Sequence, residues 1–179
     1  RSQFHHVIDI AATIYEAAGV TPPEIVDGVE QQPIDGVSMV YSFDAAKAPS
    51  TRREQYFEML GNRSYYKEGW LASTTPGRAP FDRSTDPIDP LKFSWELYNL
   101  DSDYSQSKNV AAQYPAKLAE LKVAFEEAAK KYDVYPITAD LIGRVGPGNR
   151  PSILDSRTDF TFYSSQTRYP AGSFPTLAA

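Results

Sequence analysis

Cysteine is absent from the 179 residues, and only two histidines are present. Without cysteine, disulfide bonds, thiolate metal sites and cysteine nucleophiles are all excluded for this sequence. Two histidines are also too few for a metal site that depends on several imidazole ligands. A sequence without cysteine is compatible with the cytosol and with the periplasm, so this absence leaves the compartment open.

Long apolar runs and basic stretches are absent as well. No run of about 18 apolar residues occurs, so the sequence predicts no membrane-spanning helix. The net charge of −5 argues against a nucleic-acid partner, because such partners usually require a basic face. Hydrophobic residues make up 41% and charged residues 23%, which is typical of a globular protein.

Strand-like segments separated by turn signals, followed by one long amphipathic segment, indicate the fold class. Gly61-Asn62 and Glu68-Gly69 are the turn signals of an antiparallel meander. The periodicity predicts a helix from Pro115 to Tyr132, with Leu118, Leu121 and Phe125 along one stripe. We therefore predict an α+β fold, in which an antiparallel sheet of about four strands is packed by this helix. The predicted strands are 55–60, 63–66, 70–74 and 95–99.

The opening of the sequence predicts a different kind of element. Residues Val7 to Ala18 have a helical pattern that is apolar on nearly all sides, and Gly19 suits a left-handed cap. Such a helix needs cover on two faces, so we expect the sequence to begin inside a domain. The predicted organisation is the end of a catalytic α/β domain over 1–50, a small α+β subdomain over 51–135, and an extension with little regular structure over 136–179.

One segment has the most specific pattern in the sequence. Trp95-Glu96-Leu97-Tyr98-Asn99-Leu100-Asp101-Ser102-Asp103, continuing to Asn109-Val110-Ala111, resembles a signature near the carboxy terminus of arylsulfatases. The helical segment 4–20 and the strand pair 56–70 resemble further family segments in the same order, although Ala12 stands where the family often has proline. The resemblance covers roughly residues 1 to 136 and indicates the carboxy-terminal portion of an arylsulfatase.

This resemblance implies a sulfuric ester hydrolase of the alkaline phosphatase-like superfamily. Such enzymes use a formylglycine made from Cys or Ser in a Cys/Ser-x-Pro-x-Arg motif, and a calcium ion that neutralises the sulfate oxygens. Neither this motif nor the amino-terminal Asp-Asp metal pair occurs in the sequence. We therefore expect both cofactors, all catalytic residues and all metal ligands to lie in an amino-terminal portion of the same polypeptide. The expected partners are that portion and a sulfate-ester substrate, and the expected location is periplasmic or secreted.

His5, His6 and Arg63 are the candidate residues for the rim of the substrate cleft. Adjacent side chains in an extended segment point in opposite directions, so His5 and His6 cannot both serve one site. The alternative for the histidines is that one caps the helix start and the other is solvated. Arg63 lies within Asn62-Arg63-Ser64, an acceptor pattern for N-glycosylation, and its alternative is a hairpin tip.

Two other pairs of residues have structural alternatives that we favour. Asp101 and Asp103 have the spacing that begins a calcium loop, but capping of a turn is the simpler interpretation. Trp70 and Trp95 could stack on a sugar or an aromatic ligand, but their positions in strands predict core packing.

Other functions remain open on the sequence alone. The main alternative is a non-catalytic binding module that uses the aromatic meander as its contact surface. Another is a phosphatase or phosphodiesterase of the same superfamily.

Overall fold

The computed structural model describes residues 2–75 and 88–139, together with two short strands nearer the carboxyl end. In this part of the chain, neither helix has the length and apolar character needed to cross a bilayer. The helices are α1 (Asp9–Ala18) and α2 (Pro115–Lys131). The strands are β1 (Ile25–Val26), β2 (Val29–Glu30), β3 (Glu54–Met59), β4 (Asn62–Lys67), β5 (Trp70–Thr74), β6 (Trp95–Asn99), β7 (Phe160–Phe162) and β8 (Thr167–Tyr169).

The central sheet is an antiparallel meander in the order β3-β4-β5-β6. Its register places Tyr56 opposite Tyr65, Tyr65 opposite Ala72, and Ala72 opposite Leu97. Cross-strand partners share one face of a sheet, so these four residues form a single apolar row. The predicted α+β class is confirmed, because one helix packs on this four-stranded sheet.

Helix α2 covers the face of the sheet that carries this row. Its residues Leu121, Phe125 and Ala129 are fully buried and recur at steps of four, as one face of a helix requires. Pro115 occupies the first turn, where its missing N–H leaves no hydrogen bond unmade. The core of the molecule therefore lies between α2 and the sheet, where the sequence predicted it.

The opposite face of the sheet is covered by the opening residues of the chain. The Phe4 ring stacks on Tyr66 with ring centroids 3.8 Å apart. The His6 ring meets Phe57 edge-on at 5.5 Å. Aromatic contacts of this kind stabilise a structure beyond simple area burial. These contacts join the segment before α1 to the sheet.

Helix α1 is oriented differently from what its apolar pattern suggests. The residues that it buries are the polar Asp9 and Thr13, whereas Ile10 and Ile14 are 49% and 62% exposed. Polar contacts with the following loop, which the apolar pattern did not predict, determine the inner face of this helix. Gly19 adopts the predicted left-handed cap, with φ of 66°.

The loop after α1 contains a two-stranded hairpin that the sequence analysis did not assign. β1 and β2 pair across Asp27 and Gly28, whose φ angles are 51° and 81°. Positive φ at both central residues is the geometry that the Asp-Gly pair favours in tight hairpins. The Asp-Gly turn signal was therefore present in the sequence, but it lay between strands of only two residues each.

The chain divides into two compact units, one of Arg1–Thr85 with Asp89–Thr138, and one of Asp86–Ile88 with Ala139–Ala179. In the second unit, β7 pairs with β8 in antiparallel register. The sequence predicted an extension with little regular structure over 136–179, and both strands fall within it. Residues 140–159, 163–166 and 170–179 of that extension lie outside the described residues.

Candidate functional site

A buried carboxylate at the start of α1 is the centre of a polar cluster. Asp9 is fully buried, and both of its oxygens accept hydrogen bonds from Nε of Arg52 at 2.8 and 2.9 Å. The backbone N–H groups of His6 and Val37 donate to the same carboxylate at 2.9 and 2.8 Å. Asp9 therefore connects α1, the loop after it and the residue pair that precedes β3.

The hydrogen bonds to Asp9 determine its ionisation. Burial alone would raise the pKa of this carboxyl group, because it removes water from the charged form. The hydrogen bonds from Arg52, His6 and Val37, together with the Arg52 charge, more than offset that effect and lower the pKa to about 2. Asp9 is therefore ionised at neutral pH and forms a buried ion pair.

Thr13 extends this cluster by one turn of α1. Its hydroxyl donates to the Asp9 carbonyl at 2.7 Å and accepts from the backbone N–H of Met39 at 2.9 Å. Together, Asp9 and Thr13 fix the loop around 37–39 against the helix. This explains why polar residues occupy the inner face of a helix that is otherwise apolar.

The two histidines lie on either side of this cluster. His5 Nε2 is 3.2 Å from the hydroxyl oxygen of Tyr41. His5 Nδ1 is 3.5 Å from an oxygen of Asp9 and forms no hydrogen bond. The His6 ring contacts Phe57 on the sheet. The chain therefore separates the two rings, in agreement with the expectation that they cannot both serve one site.

Arg63 lies on the other side of the sheet, facing α2. Its side chain is buried, and one terminal nitrogen donates to the carbonyls of Pro90 and Leu91 at 2.9 and 3.4 Å. The guanidinium carbon lies 5.1 Å from the centre of the Trp95 ring. Because His6 contacts the opposite face, the structure does not bring His5, His6 and Arg63 together. Their role at a substrate rim stays a prediction.

The aspartates after β6 form a turn and not a metal cage. Asp103 accepts hydrogen bonds from the backbone N–H groups of Lys108 and Ser107 and from the hydroxyls of Ser105 and Ser107. These bonds, above all the one from Lys108, lower the pKa of Asp103 to about 2. The capping role predicted for Asp103 is confirmed.

Calcium and formylglycine do not fit the residues of this chain that the structure describes. Within 2–75 and 88–139, no group of three or more His, Asp or Glu side chains is placed to hold a metal ion. The carboxylate of Asp103 is already used by its own turn. No serine or cysteine of the sequence stands in the Cys/Ser-x-Pro-x-Arg motif that formylglycine requires. We therefore derive no catalytic step through either group.

The two tryptophans belong to the aromatic core, as the sequence predicted. Both are partly buried and pack against the central cluster. Trp95 meets the Phe125 ring edge-on at 5.9 Å, and Trp70 meets Tyr114 edge-on at 5.1 Å.

Sequence reasoning did not identify the Asp9–Arg52 pair. The two residues are 43 positions apart, and pairing over such a distance leaves no periodic pattern. The available signal was a single aspartate at the start of an apolar helix, because an isolated charge in such a setting requires a partner.

Comparison with known proteins gives matches among solved structures alone. No family model and no curated protein matches the sequence. The crystal structure of Ps i-CgsB is 17% identical over 80% of this chain and 28% of its own, with a TM-score of 0.54. Its complex with k-i-k-neocarrahexaose is 17% identical over 76% and 27%, with a TM-score of 0.51. BT33336S-sulf, described with glycosaminoglycan metabolism by Bacteroides thetaiotaomicron, is 20% identical over 68% and 24%, with a TM-score of 0.47.

These similarities are informative about the fold. The chain spans only about a quarter of the length of the solved chains that it matches. At 17% identity, the two matches with TM-scores above 0.5 establish a shared arrangement of helices and strands. The arylsulfatase resemblance predicted from the sequence is therefore confirmed as a likeness in fold to solved sulfatase structures.

Proposed function

We propose that this chain is the carboxy-terminal part of a sulfatase that hydrolyses sulfate esters. In this proposal the chain completes the fold and shapes one rim of the cleft, while an amino-terminal portion of the same polypeptide supplies the nucleophile and the metal. Support comes from the sequence resemblance, the fold of the solved relatives, and their roughly fourfold greater length.

The observation that carries the proposal is the exposed apolar surface of α1. Ile10 and Ile14 are 49% and 62% exposed, and Val7 just before the helix and Val20 just after it are 68% and 54% exposed. Exposed apolar residues that recur along one element mark an interaction surface. Here the expected occupant is the amino-terminal portion, because α1 continues an α/β domain in the proposed parent.

The Asp9–Arg52 pair gives this surface a fixed position. It ties α1 to the residues that lead into β3, and the segment before α1 is held on the sheet by its aromatic contacts. Docking of α1 on the amino-terminal portion would therefore also fix the position of the sheet. His5 lies beside Asp9 at the start of α1 and His6 contacts Phe57 of the sheet, so the proposal assigns both to the rim of the cleft.

Activity assays on the full-length polypeptide test the reaction class. We expect it to hydrolyse an aryl sulfate in preference to the matching aryl phosphate, and we expect residues 1–179 alone to hydrolyse neither. A preference for phosphate would favour the phosphatase alternative and overturn the proposal. Reading the gene upstream of Arg1 provides a second test, because a parent without Cys/Ser-x-Pro-x-Arg would contradict it.

A charge placed on α1 tests the docking step separately. Ile14→Glu should leave the unfolding midpoint of residues 1–179 almost unchanged, because exposed substitutions usually shift stability by less than about 0.5 kcal/mol. In the full-length polypeptide the same change buries a charge, and we expect a cost of about 2 kcal/mol or more. Val29→Glu, at a residue that is 62% exposed on the β1–β2 hairpin, is the matched control. Equal effects of Ile14→Glu in both contexts would contradict docking through α1.

A further inference from the structure

An open groove of about 860 Å³ runs between α2 and the residues that lead into β6. One wall carries Leu91 and Phe93, and the α2 wall carries Val123, so part of the lining is apolar. The groove lies on the α2 side of the sheet, away from His6 and its contact with Phe57. It is therefore separate from the rim proposed at His5 and His6, although it contains Arg63, the third candidate rim residue.

Arg63 contributes a buried cation to this groove. Its side chain is 4% exposed, and its Nε has no hydrogen-bond partner. One terminal nitrogen donates to two backbone carbonyls, and no carboxylate lies within 4 Å of the guanidinium among the residues that the structure describes. The Arg63 side chain also hydrogen-bonds the hydroxyl of Tyr135, which lowers the pKa of that hydroxyl and so opposes the effects of burial and Glu126, which raise it. A buried cation that meets carbonyl dipoles, a neutral hydroxyl and the Trp95 ring, and that keeps one N–H unpaired, is costly unless an anion completes its environment.

Other charges along the groove favour an anion as well. Lys122 and Lys130 are exposed on the α2 wall, two turns apart. Of the two acidic residues in the lining, Glu126 accepts a hydrogen bond from the hydroxyl of Tyr135 at 2.6 Å. Glu127 is exposed on the same helix. The lining therefore has three cations and two carboxylates, and the most deeply buried of these charges is positive.

We propose that the groove is a binding site for an oxyanion, either a sulfonate or sulfate group or a carboxylate, carried on a molecule with a small apolar ring. Arg63 and the two lysines attract the oxyanion, while Leu91, Phe93 and Val123 contact the ring. The site makes no use of ester hydrolysis, so it goes beyond the proposed function and can be tested without it.

The two tryptophans make the test internally controlled. Trp95 lines the groove, whereas Trp70 packs against Tyr114 elsewhere on the sheet.

Residues 1–179 labelled with ¹⁵N should be titrated with benzenesulfonate, benzoate and neutral benzyl alcohol at low salt. Benzenesulfonate has no ester bond, so its binding is independent of sulfatase activity. We expect both anions to shift the Trp95 indole signal saturably, with no matching shift at Trp70 and none with the alcohol. The two anions, compared directly, show which oxyanion is preferred.

Charge variants complete the test. We expect Lys122→Gln combined with Lys130→Gln to raise the Kd about fivefold, because exposed charges contribute modestly to binding. Glu127→Gln should lower the Kd, because it removes a carboxylate that repels the anion. Lys108→Gln, an exposed lysine outside the groove, should leave the Kd unchanged. Arg63→Gln should abolish binding; if this variant does not fold, the lysine and glutamate variants still decide. An unshifted Trp95 signal, or equal Kd values in all lysine variants, would overturn the proposal.

Discussion

Replacing Asp9 by asparagine removes one charge of the buried ion pair while keeping the size of the side chain. The structure shows what would be left behind, because Arg52 is 7% exposed and would remain buried without its carboxylate. The remaining polar contacts of Arg52 are Oε1 of Gln55 and the carbonyl of Asp35, at 2.9 and 3.0 Å. Neither is charged, so the variant cannot neutralise the guanidinium.

The expected loss of stability follows from that unpaired charge. Breaking a buried ion pair by removing one partner costs about 3–5 kcal/mol. Asparagine retains an oxygen that can accept from Arg52, His6 or Val37, so we expect a value near the lower end, about 3 kcal/mol. The double variant Asp9→Asn with Arg52→Met should lose less than the sum of the two single variants, since it leaves no buried charge.

The pH dependence of stability gives a second, independent value for the free energy that the Asp9 charge contributes. The pKa of Asp9 is lowered from 3.8 to about 2, so the folded state binds the proton less readily than the unfolded chain. The stabilisation from this shift, about 2 kcal/mol, is fully present above pH 5 and is lost as the pH falls towards 2. The stability difference between the wild type and Asp9→Asn should therefore shrink by about 2 kcal/mol over that range.

The assay is urea unfolding at several pH values between 2 and 7, followed by circular dichroism. Asp103 also has a lowered pKa, but it is present in both proteins, so its contribution cancels in the difference. Asp44→Asn, an exposed aspartate in the same loop region, is the matched control and should differ little from the wild type at any pH. A loss below 1 kcal/mol at pH 7, or a difference independent of pH, would refute the reasoning.

Two further substitutions test the turn after β4 and the core, each against a matched control. Gly69→Ala should destabilise the chain by well over 1 kcal/mol, because φ is +83° and the new Cβ would lie 2.6 Å from an Asp101 oxygen. Gly28→Ala, at φ of +81° with open space around it, should cost only the backbone strain, and equal losses at both glycines would contradict the contact argument. Phe125→Ala should cost about 3–5 kcal/mol in urea unfolding, because the ring is fully buried, whereas Val123→Ala should stay within about 0.5 kcal/mol.

The local parts of the fold could be predicted from the sequence. The first three strands of the meander are separated by tight turns at Gly61 and Gly69, and α2 ends within one residue of its predicted boundary. Both kinds of signal come from neighbours along the chain, which periodicity records directly. The sequence also predicted the capping by Asp103, because the turn is closed by residues only four and five positions away.

The parts that depend on distant partners could not be predicted. Arg63 was a candidate for the substrate rim, with a hairpin tip as the alternative, and neither interpretation indicated that residues 27 and 28 positions further on would enclose its side chain. The apolar pattern of α1 did not indicate that Asp9 and Thr13 would form its inner face, where their hydrogen bonds to the loop at Val37 and Met39 place them. In both cases a specific polar contact decided the orientation, and hydrophobic periodicity carries no information about such contacts.

The turn after β6 has a practical consequence for protein engineering. Its exposed, serine-rich stretch from Ser102 to Ser107 would ordinarily be chosen for the insertion of a peptide tag, since exposed polar loops usually accept insertions. In this chain, however, the Asn109 side chain accepts from the Leu97 N–H at 3.2 Å, and the Val110 N–H donates to the Leu97 carbonyl at 2.8 Å. Residues inserted into this turn would break the two hydrogen bonds that join Asn109 and Val110 to Leu97, which is fully buried in β6. The tip at Gly28, with open space around it, is the better insertion point.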